Sequence, residues 1–286
     1  MTSPPVAREP SDRGSAVATY LLSWSYTGAG PTYVDETLAI DAQGGIWCWL
    51  LAAAEPARRD RCGTFALPAD PALAREAGRL AAALRVLPPV SEPLPRGGVA
   101  LVIDAGGSRH ALNATAGGER DPVIVDALRF AEQLRPRALA APLAALQIAL
   151  EPRSAAPGAP APVMFAVTSL GAEPVRFQFD PDSFAVFGYD AAGRTFTWRA
   201  AEGDTMGLLD SETLDLIDGV LIVATMPGGM RALAAFNNAL LAEPGSYTLT
   251  GSASGMLALH RPDAPPPPIP NSTFRVTTPP VAWTAR

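Results

Sequence analysis

The sequence predicts an α+β domain, an antiparallel sheet with two helices, followed by an all-β two-sheet sandwich. Three observations carry that prediction. The 30 prolines and 25 glycines in 286 residues demand many turns and leave room for few long helices. Helix-start signals, an N-cap Asp followed by Pro at the first helical position, stand at Asp70-Pro71 and Asp121-Pro122, both in the first half. Beyond residue 142 the chain breaks into short β-rich runs separated by Gly, Pro and Asp.

With 48% hydrophobic residues the chain has the material for packed cores, which excludes disorder as a global state, and its length suggests two domains at roughly 100–200 residues each. Residues 1–16, rich in Pro, Ser, Arg and Asp, read as a disordered tail; the α+β domain is placed at 17–138 and the sandwich at 139–286.

In the first domain, strands are expected over 17–27, 33–42 and 45–52. The second of them sets Val34, Leu38 and Ile40 among Asp35, Glu36 and Asp41, the mixed pattern of a half-exposed antiparallel strand. Glycine marks the turns at Gly28-Ala29-Gly30-Pro31 and Gln43-Gly44-Gly45. Leu73, Ala77, Leu80 and Leu84 recur at helical spacing until Pro88-Pro89. Strands 98–104 and 109–115 form a hairpin around Ala105-Gly106-Gly107-Ser108. The second helix carries Val123, Ala127, Phe130 and Leu134, and 135–142 reads as a short link. In the second domain, strands are expected over 143–150, 163–170, 174–179, 184–189, 195–199, 219–226, 246–252, 256–260 and 273–277. Residues 231–243 suit a helix by their Ala and Leu content, or a strand feeding the Pro244-Gly245 turn. Residues 263–270, with four consecutive prolines, form an extended polyproline-like loop.

The search for chemistry is mostly negative. All 22 basic residues are Arg, so lysine Schiff-base and P-loop mechanisms fall away. The net charge of −6 argues against nucleic acid, and the one basic run, Arg58-Arg59-Asp60-Arg61, reads as a solvated turn. Cys48 and Cys62 with His110 and His260 match no zinc spacing, so no metal or cofactor is expected. The 13 residues from one cysteine to the other leave a buried free thiol and a disulfide both open. Gly251-Ser252-Ala253-Ser254-Gly255 resembles an esterase elbow but has Ala at its centre, and is expected to be a turn between two strands. No signal peptide and no membrane span are read, which leads to the expectation of a soluble, cytoplasmic protein.

From residue 162 to 251 the chain resembles the intracellular proteinase inhibitor (BsuPI-like) domain, a bacterial immunoglobulin-like sandwich. The matching pieces begin with Met164-Phe165-Ala166-Val167-Thr168-Ser169-Leu170-Gly171 and Pro174-Val175-Arg176-Phe177-Gln178-Phe179. After these come the run from Phe184 to Arg194, Thr197-Trp198-Arg199, and Pro244 to Gly251. The first block resembles the emfourin group, small inhibitors of thermolysin-like metalloproteases. The likeness rests on an early strand, the turn Ser25-Tyr26-Thr27-Gly28-Ala29-Gly30, the strand after it, a helix over 72–84 and the hairpin of 101–104 with 110–112.

Both resemblances imply a non-catalytic protein that occupies a thermolysin- or subtilisin-type protease. The contact would be the loop Ser25, Tyr26, Thr27, Gly28, Ala29, Gly30, Pro31 and Thr32, with 200–211 and 263–271 next. The alternative is an adaptor docking on a larger assembly. A buried cluster of ionisable side chains would count against a protein without chemistry.

Overall fold

The computed structural model describes residues 20–28, 34–89, 99–105, 110–114, 121–152, 161–180, 183–199, 208–209, 214–217, 220–240, 244–261 and 272–285. The first half supplies strands β1 (Tyr20–Gly28), β2 (Val34–Asp41), β3 (Ile46–Ala52), β4 (Arg61–Leu67), β5 (Val99–Ala105) and β6 (Ala111–Asn113), with helices α1 (Pro71–Leu84) and α2 (Pro122–Leu139). The second supplies β7 (Pro142–Pro152), β8 (Ala161–Leu170), β9 (Val175–Phe179), β10 (Ala185–Asp190), β11 (Thr195–Arg199), β12 (Leu208–Leu209), β13 (Leu214–Ile217), β14 (Val220–Met226), β15 (Arg231–Leu240), β16 (Gly245–Leu257), β17 (Ser272–Thr277) and β18 (Val281–Ala285).

The strands make two antiparallel sheets. The larger has the order β12-β15-β8-β7-β4-β3-β2-β1-β5-β6, and the smaller β11-β10-β16-β9-β14-β13. In the smaller sheet β16 is the spine. Strands β10 and β9 lie end to end along one of its edges, and β18 and β17 along the other.

Both helices start where the sequence places them. The Asp70 carboxylate accepts the Ala72 amide at 2.9 Å, the Asp121 carboxylate accepts that of Val123 at 2.8 Å, and a proline follows each cap. The link expected over 135–142 is corrected. Helix α2 runs five residues past Leu134, through Pro136, to Leu139. Its buried stripe Ala127, Ala131, Leu134 and Ala138 keeps helical spacing across the proline, and that packing outweighs the lost hydrogen bond.

The stretch expected to be a solvated basic turn contains a 3-10 turn at Pro56–Arg58 and opens β4, a strand the pattern did not reveal. Strand β4 pairs with β3 on one edge and with β7 on the other, from Arg61↔Gln147 to Phe65↔Pro142. The larger sheet is therefore continuous across residue 138. Gly63 permits this join: its φ is +135°, and a Cβ there would lie 2.4 Å from the Ala145 Cα.

Residues 245–257 are one strand, not two strands with a turn at Gly251–Gly255. Tyr247, Leu249, Gly251, Ala253, Gly255 and Leu257 alternate inward. The glycines serve close approach: a Cβ on Gly251 would lie 2.5 Å from the Phe165 ring, and one on Gly255 2.1 Å from the Gln178 carbonyl. In the ambiguous 231–243 stretch, the described residues 231–240 are strand β15, because pairing along β8 overrides their helix-favouring Ala and Leu.

Two hydrophobic cores lie on opposite faces of the larger sheet. On one face α1 and α2 cover Leu22, Trp24, Leu38, Ile40, Ile46, Cys48 and Phe65. On the other, the smaller sheet covers Leu51, Cys62, Leu146, Ile148, Leu150 and Phe165 with Phe177, Phe179, Phe184 and Phe274. Alternation along β3 and β4 sends neighbouring residues into different cores. Cys48 and Cys62 consequently sit in separate cores, both free, so the disulfide left open by spacing is not formed.

Burial pushes both thiols well above the ordinary cysteine range. Neither should react with Ellman's reagent in the native protein, while two equivalents react after denaturation. Because the folded state keeps both protons and the unfolded state releases them, stability should fall as pH rises above about 8.5, with a limiting slope of about 2.7 kcal/mol per pH unit for two thiols. Urea unfolding at pH 8 and pH 10 checks this. A Cys48→Ala/Cys62→Ala variant should lose that slope.

Candidate functional site

The structure divides the expected contact loop. Ser25, Tyr26, Thr27 and Gly28 are strand residues, the last four of β1, paired with β2 on one edge and with β5 on the other. This corrects the loop's start, and the cause is alternation: Leu22, Trp24 and Tyr26 point to the helix side, so the strand continues past the Gly-rich turn's apparent beginning. Ser25 and Thr27 take the opposite parity, and the Ser25 hydroxyl lies 3.3 Å from that of Thr37. Ala29, Gly30, Pro31 and Thr32 lie outside the described residues, as do 263–271 and all of 200–211 except Leu208–Leu209.

Beneath the end of this hairpin sits a buried ion cluster. Tyr26 of β1 and Glu36 of β2 face each other two rungs from Gly28↔Val34, the last described rung. Glu36 is completely buried. Arg135 of α2 reaches it with a two-pronged contact: Nε donates to Oε1 at 2.5 Å and Nη2 to Oε2 at 2.6 Å. The remaining prong, Nη1, donates to Glu55 at 3.0 Å, and Glu55 in turn meets Arg58 at 3.3 Å. The guanidinium carbon also stands 5.3 Å from the centre of the Tyr26 ring. One side chain thus ties α2, β1, β2 and the β3–β4 connection together.

The electrostatics follow from that wiring. Burial opposes the charge on Arg135, yet the hydrogen bonds and charge of Glu36, with Glu55 behind them, hold the guanidinium above its ordinary range. Burial lifts the Tyr26 phenol; Arg135 pulls it down and Glu36 adds to the rise. This is a buried cluster of ionisable groups, the arrangement that counts against a protein without chemistry. Its connections, however, are closed: both oxygens of Glu36 are taken by one cation, so accepting a proton there would break the two-pronged contact.

Sequence reasoning missed both central members. Glu36 shares its parity with Val34, Leu38 and Ile40, which places it on the buried face; that signal was present. Arg135 falls in the expected link over 135–142, although Ala138 follows Leu134 at helical spacing.

His260, Trp47, Trp49 and Asp60 make framework contacts. His260 joins the two sheets: its amide donates to the Thr64 hydroxyl at 3.0 Å, its carbonyl accepts from the Trp49 indole at 2.7 Å, and its Nε2 lies 3.2 Å from the Pro174 carbonyl oxygen. Trp47 stacks on Trp49 and donates to Asp41 at 3.1 Å, so this pair is half-buried framework. Asp60 accepts from Gln147 at 2.7 Å across the β4–β7 join. Among the described residues no group of three or more His, Cys, Asp or Glu is placed to hold a metal ion, and no helix is long and apolar enough to cross a membrane. Neither a protein-family model nor a curated protein sequence matches the chain.

Proposed function

We propose that this chain is a non-catalytic protein-binding protein, an intracellular protease inhibitor or regulator. In this reading the β1–β2 hairpin, Ser25 to Thr32, fits against a thermolysin- or subtilisin-type protease. In the second half, β7, β8 and β15 of the larger sheet and the smaller sheet packed on them form an immunoglobulin-like sandwich. The observation that carries the reading is the clamp at the hairpin's base. Arg135 fixes Tyr26 and Glu36 at one rung, and the strands leading to the connection are paired to Gly28↔Val34. A binding segment held this way loses little conformational freedom on docking, which is how a small rigid surface gains affinity without acid–base groups.

Titrating a fixed amount of each protease class with the purified chain tests this. Activity should fall linearly to an end point near one equivalent for one of the two classes. Replacing Gly28 and Gly30 together by Phe should weaken inhibition about a hundredfold, or ~2.7 kcal/mol, with the melting temperature nearly unchanged. Full activity of both proteases at micromolar chain would contradict the reading.

A further inference from the structure

The smaller sheet ends on an open strand. Each sheet has two outer strands, β12 and β6 in the larger one and β11 and β13 in the smaller. Three of the four are poor templates for another strand. Strand β12 has two residues, β6 has three, and β13 has four, with a register shift and Asp215 within it. Strand β11 is five residues long and pairs with β10 without a shift. Among the described residues it has no neighbour on its other side. Such edges are ordinarily blunted by lysine, proline or a bulge. The run Thr195-Phe196-Thr197-Trp198-Arg199 has none of these and is rich in strand-favouring residues. Phe196 sets its ring 5.7 Å from that of Tyr247, which ties the strand to the core from within.

The turn before β11 fixes which backbone groups face outward. The Asp190 amide donates to the Arg194 carbonyl at 3.1 Å, so the even-numbered residues of β11 bond toward β10. Alternation then turns the N–H and C=O of Thr195, Thr197 and Arg199 to the open edge. This row is its own complement. An antiparallel second copy, related by a two-fold axis at Thr197, sets Thr197 opposite its own counterpart and Thr195 opposite Arg199. In that register every outward N–H of one copy meets an outward C=O of the other, and no charged residue faces its own kind. The Thr197 side chain is exposed, so the two hydroxyls meet as a cross-strand threonine pair. An unrelated peptide would have to supply this match, whereas a second copy carries it already.

We propose that two copies of this chain associate edge to edge through β11, joining their smaller sheets into one. The pairing is independent of the hairpin and of any protease. A five-residue edge is small for a permanent interface, so association should be weak and concentration-dependent. Sedimentation equilibrium of the full chain, from about one to a few hundred micromolar, should show a monomer passing into a dimer. Thr197→Pro removes the amide at the axis from an edge position that tolerates proline. It should weaken association about tenfold or more, with the melting temperature nearly unchanged. Thr197→Lys sets two like charges opposite each other and should do the same. Cysteine substitution locates the axis. Facing residues of a hydrogen-bonded antiparallel pair have Cα atoms about 5.5 Å apart, a span that a disulfide bridges. Cys48 and Cys62 are buried and free, so mild oxidation of Thr197→Cys should give a covalent dimer, while Thr195→Cys should stay uncoupled. A chain that remains monomeric across the whole range overturns the proposal, as does a Thr197→Pro variant that associates like the parent. Coupling through Thr195→Cys as readily as through Thr197→Cys overturns it too, because the two copies then meet elsewhere.

Discussion

Cutting the chain between residues 138 and 139 should yield two pieces that do not fold on their own. Strand β4 is bonded to β7 over the rungs from Arg61↔Gln147 to Phe65↔Pro142, so the cut exposes a full strand edge on each piece. It also strips cover from both cores. Leu51 and Cys62 belong to the core between the sheets, and Ala145 belongs to the core beneath the helices. Leu146, Ile148, Leu150 and Phe165 would leave with the second piece. Each large buried side chain lost costs about 2–5 kcal/mol, against a total stability of about 5–15 kcal/mol, so the first piece is left without a margin. Fragments 17–138 and 139–286, produced separately, should lack cooperative melting and aggregate. A second measurement does not depend on fragment behaviour: calorimetry of the intact chain should show one cooperative transition. Two well-separated transitions, or a soluble first fragment with a sharp melt, would contradict the continuous sheet.

The second large effect concerns Arg135. Replacing it with Met leaves the carboxylate of Glu36 buried without its cation, a change that costs about 3–5 kcal/mol in comparable buried pairs. For a chain of this size that corresponds to a fall in melting temperature of roughly 10 °C. The Arg135→Met/Glu36→Leu double variant removes both charges at once and should recover most of the loss, because the penalty arises from the orphaned partner and not from a large net value of the pair. Arg135→Lys should fall between, since a single ammonium cannot reproduce the two-pronged contact with Glu36 while also reaching Glu55. Urea unfolding of the three variants measures this. A single variant within about 1 kcal/mol of the parent protein, or a double variant as unstable as the single, would show that the cluster carries little of the packing.

The Asp-Pro helix starts, the β5–β6 hairpin and most strands of the second half were legible, because caps and period-two alternation are local signals. The misses share a cause: the deciding contact is distant in sequence. Strand β4 lies behind Arg58-Arg59-Asp60-Arg61, and its identity as a strand depends on β7, more than 80 residues away by the Gln147–Asp60 contact. Gly251 and Gly255 read as turn residues, yet they are needed where Phe165 and Gln178 press against the strand. The stretch expected as a link over 135–142 stays helical to Leu139, because the apolar stripe and the pull of Glu36 on Arg135 carry the last turn through Pro136. Of the candidate site, the sequence names Tyr26, sets Glu36 in a half-exposed strand without assigning it a face, and leaves Arg135 in a link.

We propose that this chain grips a protein through the β1–β2 hairpin, tied from below by Arg135. Hydrogen–deuterium exchange of the chain, alone and with a saturating thermolysin- or subtilisin-type protease, tests that proposal most directly. Exchange at Tyr26 and Glu36 should be slow in the free protein, and new protection on binding should be confined to residues 25–36. Protection centred elsewhere on the chain, or none at saturating protease, would contradict it.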